Sequence, residues 1–290
     1  MRMNRLPGTS YKDPAEIDVQ LDLIYHMWDL PPYLDYWQHE SALATEEFKP
    51  IEDIRVGTRD EERIDVFKAA KPNAPIVIFI HGGWWMMCTR KFFHCVARGF
   101  YERGYTVIMS DYTLTPKVGI PDITNATRAA VIWAYENAES INGDRDRIFV
   151  TGHSAGGHQT GMIAITDWSH FGVPQDVVKG AAPISGVFDL RPFQYSWLQS
   201  RLQLSTESAL LESPLFHIPD AVPPHFVIFG DEESVEFHTQ SEKYHQALLD
   251  AGHQSRFLAV PYGDHQTVLQ TLLDAESEMT QEMDDFFRGC

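Results

Sequence analysis

The sequence predicts an α/β protein, with a mostly parallel, twisted sheet of about eight strands and helices on both faces. Three observations predict it. Short β-branched runs alternate with stretches of helical spacing from about residue 75 onward, which is the signature of βαβ units. One strand, Arg147-Ile148-Phe149-Val150-Thr151, runs directly into Gly152-His153-Ser154-Ala155-Gly156-Gly157. That stretch reads as a sharp turn with serine at its tip, followed by a helix. Another strand, Pro75 to Ile80, ends in a glycine-bearing loop, His81-Gly82-Gly83-Trp84-Trp85.

Taken in order, residues 1–50 are rich in aromatics (Tyr25, Trp28, Tyr33, Tyr36, Trp37) and poor in strand patterns. They are expected to form an N-terminal cap or extension, with helical spacing from Ile17 to Trp28 ended by Pro31-Pro32. Residues 51–290 are expected to form the α/β domain. Ile51 to Val56 and Arg63 to Phe67 flank a polar turn and read as an antiparallel pair. Pro75 to Ile80 suits a strand buried on both faces. Phe93, Val96, Ala97 and Phe100 recur at helical spacing, with Gly104 as the stop. Tyr105 to Met109 is a strand, and a helix falls within Thr124 to Ala138. The strand Arg147 to Thr151 precedes a helix over Ala155 to Ile165. Val177 to Ile184, His225 to Phe229 and Arg256 to Val260 are the remaining strands. Phe237, Tyr244 and Leu248 mark a helix stopped at Gly252. Val268, Leu272, Leu273, Met279, Met283 and Phe286 line what reads as one long terminal helix. The interval from about 189 to 219 breaks the alternation and is expected to be a small helical, cap-like insertion above the strand ends.

Composition narrows the function classes. The chain has 290 residues, of which 43% are hydrophobic, enough for a sizeable core. Its formal net charge of −18 repels phosphate backbones, so nucleic acid is not an expected partner. The three cysteines, Cys88, Cys95 and Cys290, form no C-x-x-C pair and offer neither a disulfide framework nor a zinc site. The N-terminal residues lack the apolar run of a signal peptide, and no stretch approaches the 18 or so apolar residues that span a membrane. A cytoplasmic protein is expected, with no membrane partner. Whether it forms a homodimer stays open.

Ser154 is the candidate nucleophile. A serine hydroxyl is a poor nucleophile without a base, and the base needs a carboxylate to hold its tautomer. At a serine elbow of this kind the partners follow in chain order, acid and then histidine. His265, in Tyr262-Gly263-Asp264-His265, follows the last strand and is the candidate base. The acid lies in Gly230-Asp231-Glu232-Glu233, after the strand His225 to Phe229, and Glu232 is expected to face water. The negative charge that develops on an attacked carbonyl needs donors. The backbone N–H of Ala155, at a helix N-terminus, is one candidate, and those of Gly82 and Gly83 are the others. Trp84 and Trp85 are candidates for a substrate pocket or for scaffold packing. His153 and His158 flank the serine and read as packing or hydrogen-bonding residues. No H-E-x-x-H or other ligand-spaced set occurs, so no metal and no organic cofactor are expected.

Five motifs carry a family resemblance. They are His81-Gly82-Gly83-Trp84-Trp85, Asp111-Tyr112-x-Leu114-x-Pro116, Gly152 to His158, Ser234-x-Glu236-Phe237-x-x-Gln240-Ser241 and Asp264-His265. Together, over about Glu62 to Phe287, they resemble the α/β-hydrolase superfamily. Within it the chain is most similar to the kynurenine formamidase (arylformamidase) branch, close to the hormone-sensitive-lipase-like carboxylesterases. The resemblance implies an α/β-hydrolase fold and a catalytic acid three residues after a strand-end glycine. That position is Glu233 here, with Asp231 as the alternative. Two departures are visible. Glutamate stands where the branch has aspartate, and Trp84-Trp85 stands where it usually has tyrosine then tryptophan.

The expected function is a serine hydrolase cleaving a small ester or a formamide-type aryl amide, whose partner is a small substrate with an apolar or aromatic part. The alternative is a non-catalytic ligand-binding protein on a hydrolase scaffold. Such proteins tend to lose the nucleophile or the base, and this chain has both Ser154 and His265.

Overall fold

A computed structural model describes residues 5–22 and 30–290. Eight strands make one sheet: β1 (Ile51–Arg55), β2 (Arg63–Phe67), β3 (Ala74–Ile80), β4 (Thr106–Ser110), β5 (Gly143–His153), β6 (Val178–Ile184), β7 (His225–Gly230) and β8 (Ser255–Val260). Their spatial order is β1-β2-β4-β3-β5-β6-β7-β8. The β1/β2 and β2/β4 pairs are antiparallel, and every later pair is parallel. The sheet is the one the alternation implies.

The central strands are buried on both faces, so alternate residues feed two cores. Ile76, Ile78 and Ile80 of β3 point into one layer with Ile148 and Val150 of β5, against the helix Ile120–Asn137. Val77 and Phe79 point into the other with Phe149, Phe226 and Ile228, against the helices Ala97–Glu102 and Glu278–Gly289. The helix after Ser154, Ala155–Ala164, is buried along its whole length.

Three elements differ from expectation. The helix expected from Thr124 begins at Ile120, because Pro121 in its first turn is preset for helical φ and the Asp122 carboxylate accepts the Gly119 N–H. The single terminal helix is three pieces, Thr267–Gln270, Thr271–Leu273 and Glu278–Gly289. Ser277 interrupts it: its Oγ caps the Thr280 N–H at 3.1 Å and donates to the Thr271 carbonyl at 2.7 Å, which starts a new helix. The expected stop at Pro31-Pro32 is instead the first turn of a helix, Leu30–Phe48, where proline is tolerated. Before it, Pro14–Leu21 forms a short helix capped by Asp13. Tyr25 and Trp28 lie outside the described residues. Over 189–219 the chain forms, as expected, short helical pieces: the α-helices Gln199–Leu202 and Thr206–Leu211 and the 3-10 helices Pro192–Tyr195 and Pro214–Phe216.

The N-terminal segment is bonded to the parts of the fold that lie around the strand ends. Asp18 accepts the backbone N–H of Trp197 at 2.8 Å, Ser234 donates to the Gln20 carbonyl at 2.7 Å, and Tyr11 hydroxyl bonds Glu236. Tyr33 reaches Asp264 at 3.3 Å. None of the helices among the described residues is long and apolar enough to cross a membrane.

Candidate active site

Ser154 sits at the turn between β5 and its helix with φ +58 and ψ −116. Left-handed backbone is costly for a residue with a side chain, and it persists only where the surroundings enforce it. Here close packing does so. A β-carbon on Gly156 would lie far inside 3.0 Å of the Ile80 carbonyl, so only glycine lets the helix start press against the end of β3.

The loop after β3 lies beside the serine. A β-carbon placed on Gly82 would be 3.1 Å from the Ser154 Cβ. None of the described residues accepts the backbone N–H of Gly82, Gly83 or Ala155, so all three donors are uncommitted. Trp84 and Trp85 are both left-handed, with φ of 51° and 57°. Hydrogen bonds hold this strained loop in place: Met86 and Met87 donate to the Gly83 carbonyl at 3.0 Å, Thr115 donates to Trp85, and the Tyr112 hydroxyl donates to the His81 carbonyl. Behind the loop, His81 Nε2 is 3.0 Å from Asp111, which also takes Arg90 Nη1 at 2.9 Å. Arg90 further pairs with Asp65 and Asp53, and Asp65 with His94. Burial pushes the Asp65 carboxyl up. The His94 hydrogen bond, the Asp53 amide and the Arg90 charge outweigh it and hold the group below the usual carboxylate range.

His265 is buried, and its Nδ1 lies 2.7 Å from Glu233 Oε2. The Glu233 side chain has no exposed surface. Its other oxygen accepts the Gly230 N–H at 2.8 Å and the Ser185 hydroxyl. Asp231 and Glu232 are exposed, and neither side chain bonds His265, so Glu233 is the carboxylate in contact with the imidazole. His265 Nε2 is buried without a partner, and Ser154 Oγ makes no hydrogen bond within the described residues. Nδ1 is thus engaged and Nε2 is free, the tautomeric arrangement that a general base needs. Asp264 steadies the loop by accepting the N–H groups of Gln266 and Thr267 at 2.8 and 2.7 Å.

Aromatic side chains surround this centre. The Phe237 ring is 4.3 Å from that of His265 and 6.1 Å from Trp84, which also meets Phe193 and Trp197. Trp85 is fully buried against His158 and Phe193 and packs as scaffold. His158 bonds the Glu212 carbonyl and His153 that of His265, both at 2.7 Å. Sequence reasoning misses Ser185, whose only signal is a Ser-Gly pair at the end of β6. Among the described residues no group of histidine, cysteine and carboxylate side chains is placed to hold a metal ion.

Fold and site together define a serine hydrolase on the α/β-hydrolase fold. The BD-FAE family model matches residues 64–248. Kynurenine formamidase of Salmo salar is 30% identical over 241 residues, covering 79% of each chain. That of Danio rerio is 29% identical, covering 84% of this chain and 86% of its own. The chain belongs to the BD-FAE family and to the family of the kynurenine formamidases. An esterase structure from Pyrobaculum calidifontis shares the fold, with a TM-score of 0.72 at 20% identity over 96% of this chain and 98% of the esterase.

Proposed function

We propose that this chain is a cytoplasmic hydrolase of small esters and aryl formamides that works through an acyl-enzyme on Ser154. His265 Nε2 takes the Ser154 proton as Oγ attacks the carbonyl carbon, and Glu233 steadies the imidazolium that forms. The N–H groups of Gly82, Gly83 and Ala155 hold the oxyanion. The tetrahedral adduct collapses, His265 returns the proton to the departing alcohol or arylamine, and water activated by the same histidine releases the acid. The Glu233–His265 contact, which engages Nδ1 and leaves the buried Nε2 without a partner, is the observation that carries this reading.

One feature favours a formamide-type substrate. The exposed Trp197 ring, packed edge-on against Trp84, suits an aromatic leaving group. Residues 5–22 and 32–50 act as a cap that shapes substrate choice, through the bonds of Asp18 to Trp197 and of Tyr33 to Asp264.

Comparing turnover of N-formylkynurenine with that of 4-nitrophenyl acetate and butyrate tests the substrate class. The formamide is expected to have the highest kcat/KM, and the butyrate the lowest. A fluorophosphonate probe tests the chemistry: it should label the wild type and not Ser154→Ala. A wild-type protein that never labels is a binding protein, and the proposal is then wrong.

A further inference from the structure

We propose that His153 is a positioning residue that sets the distance between nucleophile and base. This rests on the reading of Ser154 and His265 given above. His153 is buried, with 3% of its surface exposed, and it adjoins Ser154 in the chain. Its Nε2 lies 2.7 Å from the carbonyl oxygen of His265. A carbonyl only accepts, so Nε2 carries the proton and Nδ1 the lone pair. Among the described residues this is the one hydrogen bond joining the serine turn to the loop of His265.

The same ring touches the third part of the site. A β-carbon on Gly82 would stand 3.3 Å from His153 Nδ1. The His153 and His265 rings lie 4.6 Å apart, centre to centre. One imidazole therefore spans the three segments that must meet: the serine turn, the loop of the proposed oxyanion donors and the loop of the base. Burial, and the nearness of His265, keep His153 neutral far below the ordinary histidine range. It stays a fixed neutral donor while His265 gains and loses its proton. Glu233 fixes the orientation of His265 from the Nδ1 side, and His153 fixes the height of its backbone above Ser154.

The test compares His153→Phe, which keeps a ring and loses the donor, with His153→Gln, which keeps an N–H donor. Both are assayed on 4-nitrophenyl acetate well below their melting temperatures. His153→Phe is expected to lower kcat about 10- to 100-fold with little change in KM, the scale expected when a base is misplaced by an ångström or less. His153→Gln is expected to recover most of that loss. The rate of fluorophosphonate labelling at Ser154 should fall in step with kcat. If His153→Phe does not fold, His153→Met, similar in shape to glutamine but without a donor, takes its place. A donorless variant with kcat within twofold of wild type overturns the inference. So does a loss confined to KM, or a folded His153→Gln that is as slow as the donorless variant. The underlying reading fails separately, by a Ser154→Ala protein that still turns over. If Ser154→Ala is inactive and His153→Phe is not slowed, only the role of His153 is lost.

Discussion

Gly230 and Gly263 face each other where the loops after β7 and β8 meet, and a β-carbon on Gly230 would fall far inside 3.0 Å of the Gly263 carbonyl oxygen. The contact is reinforced by Glu232 N–H on that same carbonyl at 3.0 Å and by Asp231 N–H on Val260 at 3.1 Å. This approach brings Glu233, three residues past one glycine, against His265, two residues past the other. Gly230→Ala must push the loops apart, because the obstacle is backbone. Overpacking of this kind costs about 1–3 kcal/mol. The melting temperature should fall, and kcat should drop by about tenfold or more as the Glu233–His265 bond lengthens. Thermal unfolding and steady-state kinetics on the purified variant check both.

In the proposed mechanism, Glu233→Gln removes the negative charge that would stabilise an imidazolium at His265, while keeping the side chain's length. A fall in kcat of about 10³ to 10⁴ is expected, as for other acids in this role. Asp231→Asn changes an exposed carboxylate that does not touch the imidazole, and kcat should stay within about twofold. Glu233→Asp keeps the charge and shortens the reach by one methylene. It can serve His265 or Ser185 and Gly230, but not all three, so an intermediate loss is expected. Equal effects of Glu233→Gln and Asp231→Asn would reassign the acid.

Some of these residues are legible in the amino-acid sequence and others are not, for physical reasons. β3 and β7 are plain because parallel strands buried on both faces read as short unbroken apolar runs. Ser154 and His265 can be placed because each lies where a strand ends and a helix begins, and Glu233 because its offset from Gly230 matches a family pattern. Ser185 cannot be found in this way. Its contact with Glu233 exists only because β6 and β7 are neighbours in space, and nothing near it in the chain announces that. The start of the Ile120 helix is hidden by Gly119 and Pro121, which read as loop until the Asp122 bond is seen. The terminal helix reads as too long because its apolar spacing continues across 274–277, where a serine cap overrides it.

Ser185→Ala follows from that spatial contact. The Ser185 hydroxyl and the Gly230 N–H both serve Glu233 Oε1, so removing the hydroxyl leaves a buried carboxylate with one donor fewer. Bonds to charged groups contribute about 1.5–3 kcal/mol. The variant should unfold at lower denaturant, and kcat/KM should fall several-fold through a less well-held Glu233. Full activity with unchanged stability would mean that Gly230 alone suffices.

Arg90 pairs with Asp53, Asp65 and Asp111 behind the His81 loop. Arg90→Met takes the guanidinium away from the buried Asp65 and Asp111, which keep only His94 and His81, and removing one partner of a buried pair typically costs about 3–5 kcal/mol. Because Asp111 orients His81, the adjacent Gly82 and Gly83 donors should loosen too, and kcat should fall more than KM rises. Urea unfolding and kinetics at low temperature, where the variant is still folded, separate the two effects.

Acid should destabilise the protein well before its surface carboxylates are protonated. Burial lowers His158 and His225 from 6.5 to about 4, and holds His153 well below its ordinary value. Once unfolded, these rings take up protons below about pH 6.5, while the native state refuses them until about pH 4. Their contribution is therefore fully present above pH 6.5 and is lost as pH falls from there toward 4. Each such ring adds a slope of at most about 1.4 kcal/mol per pH unit within the window. Asp65, held low by its partners, adds a further loss at more acidic pH. The urea midpoint should be flat above pH 7 and fall steeply between pH 6.5 and 4.5. His225 bonds the Pro223 carbonyl and the Tyr244 hydroxyl away from Ser154, so it can be replaced without touching the proposed chemistry. His225→Gln should make the slope shallower, with His153, His158 and His245, also lowered by burial, supplying the rest. An unchanged slope in that variant would mean that the acid sensitivity comes from other groups.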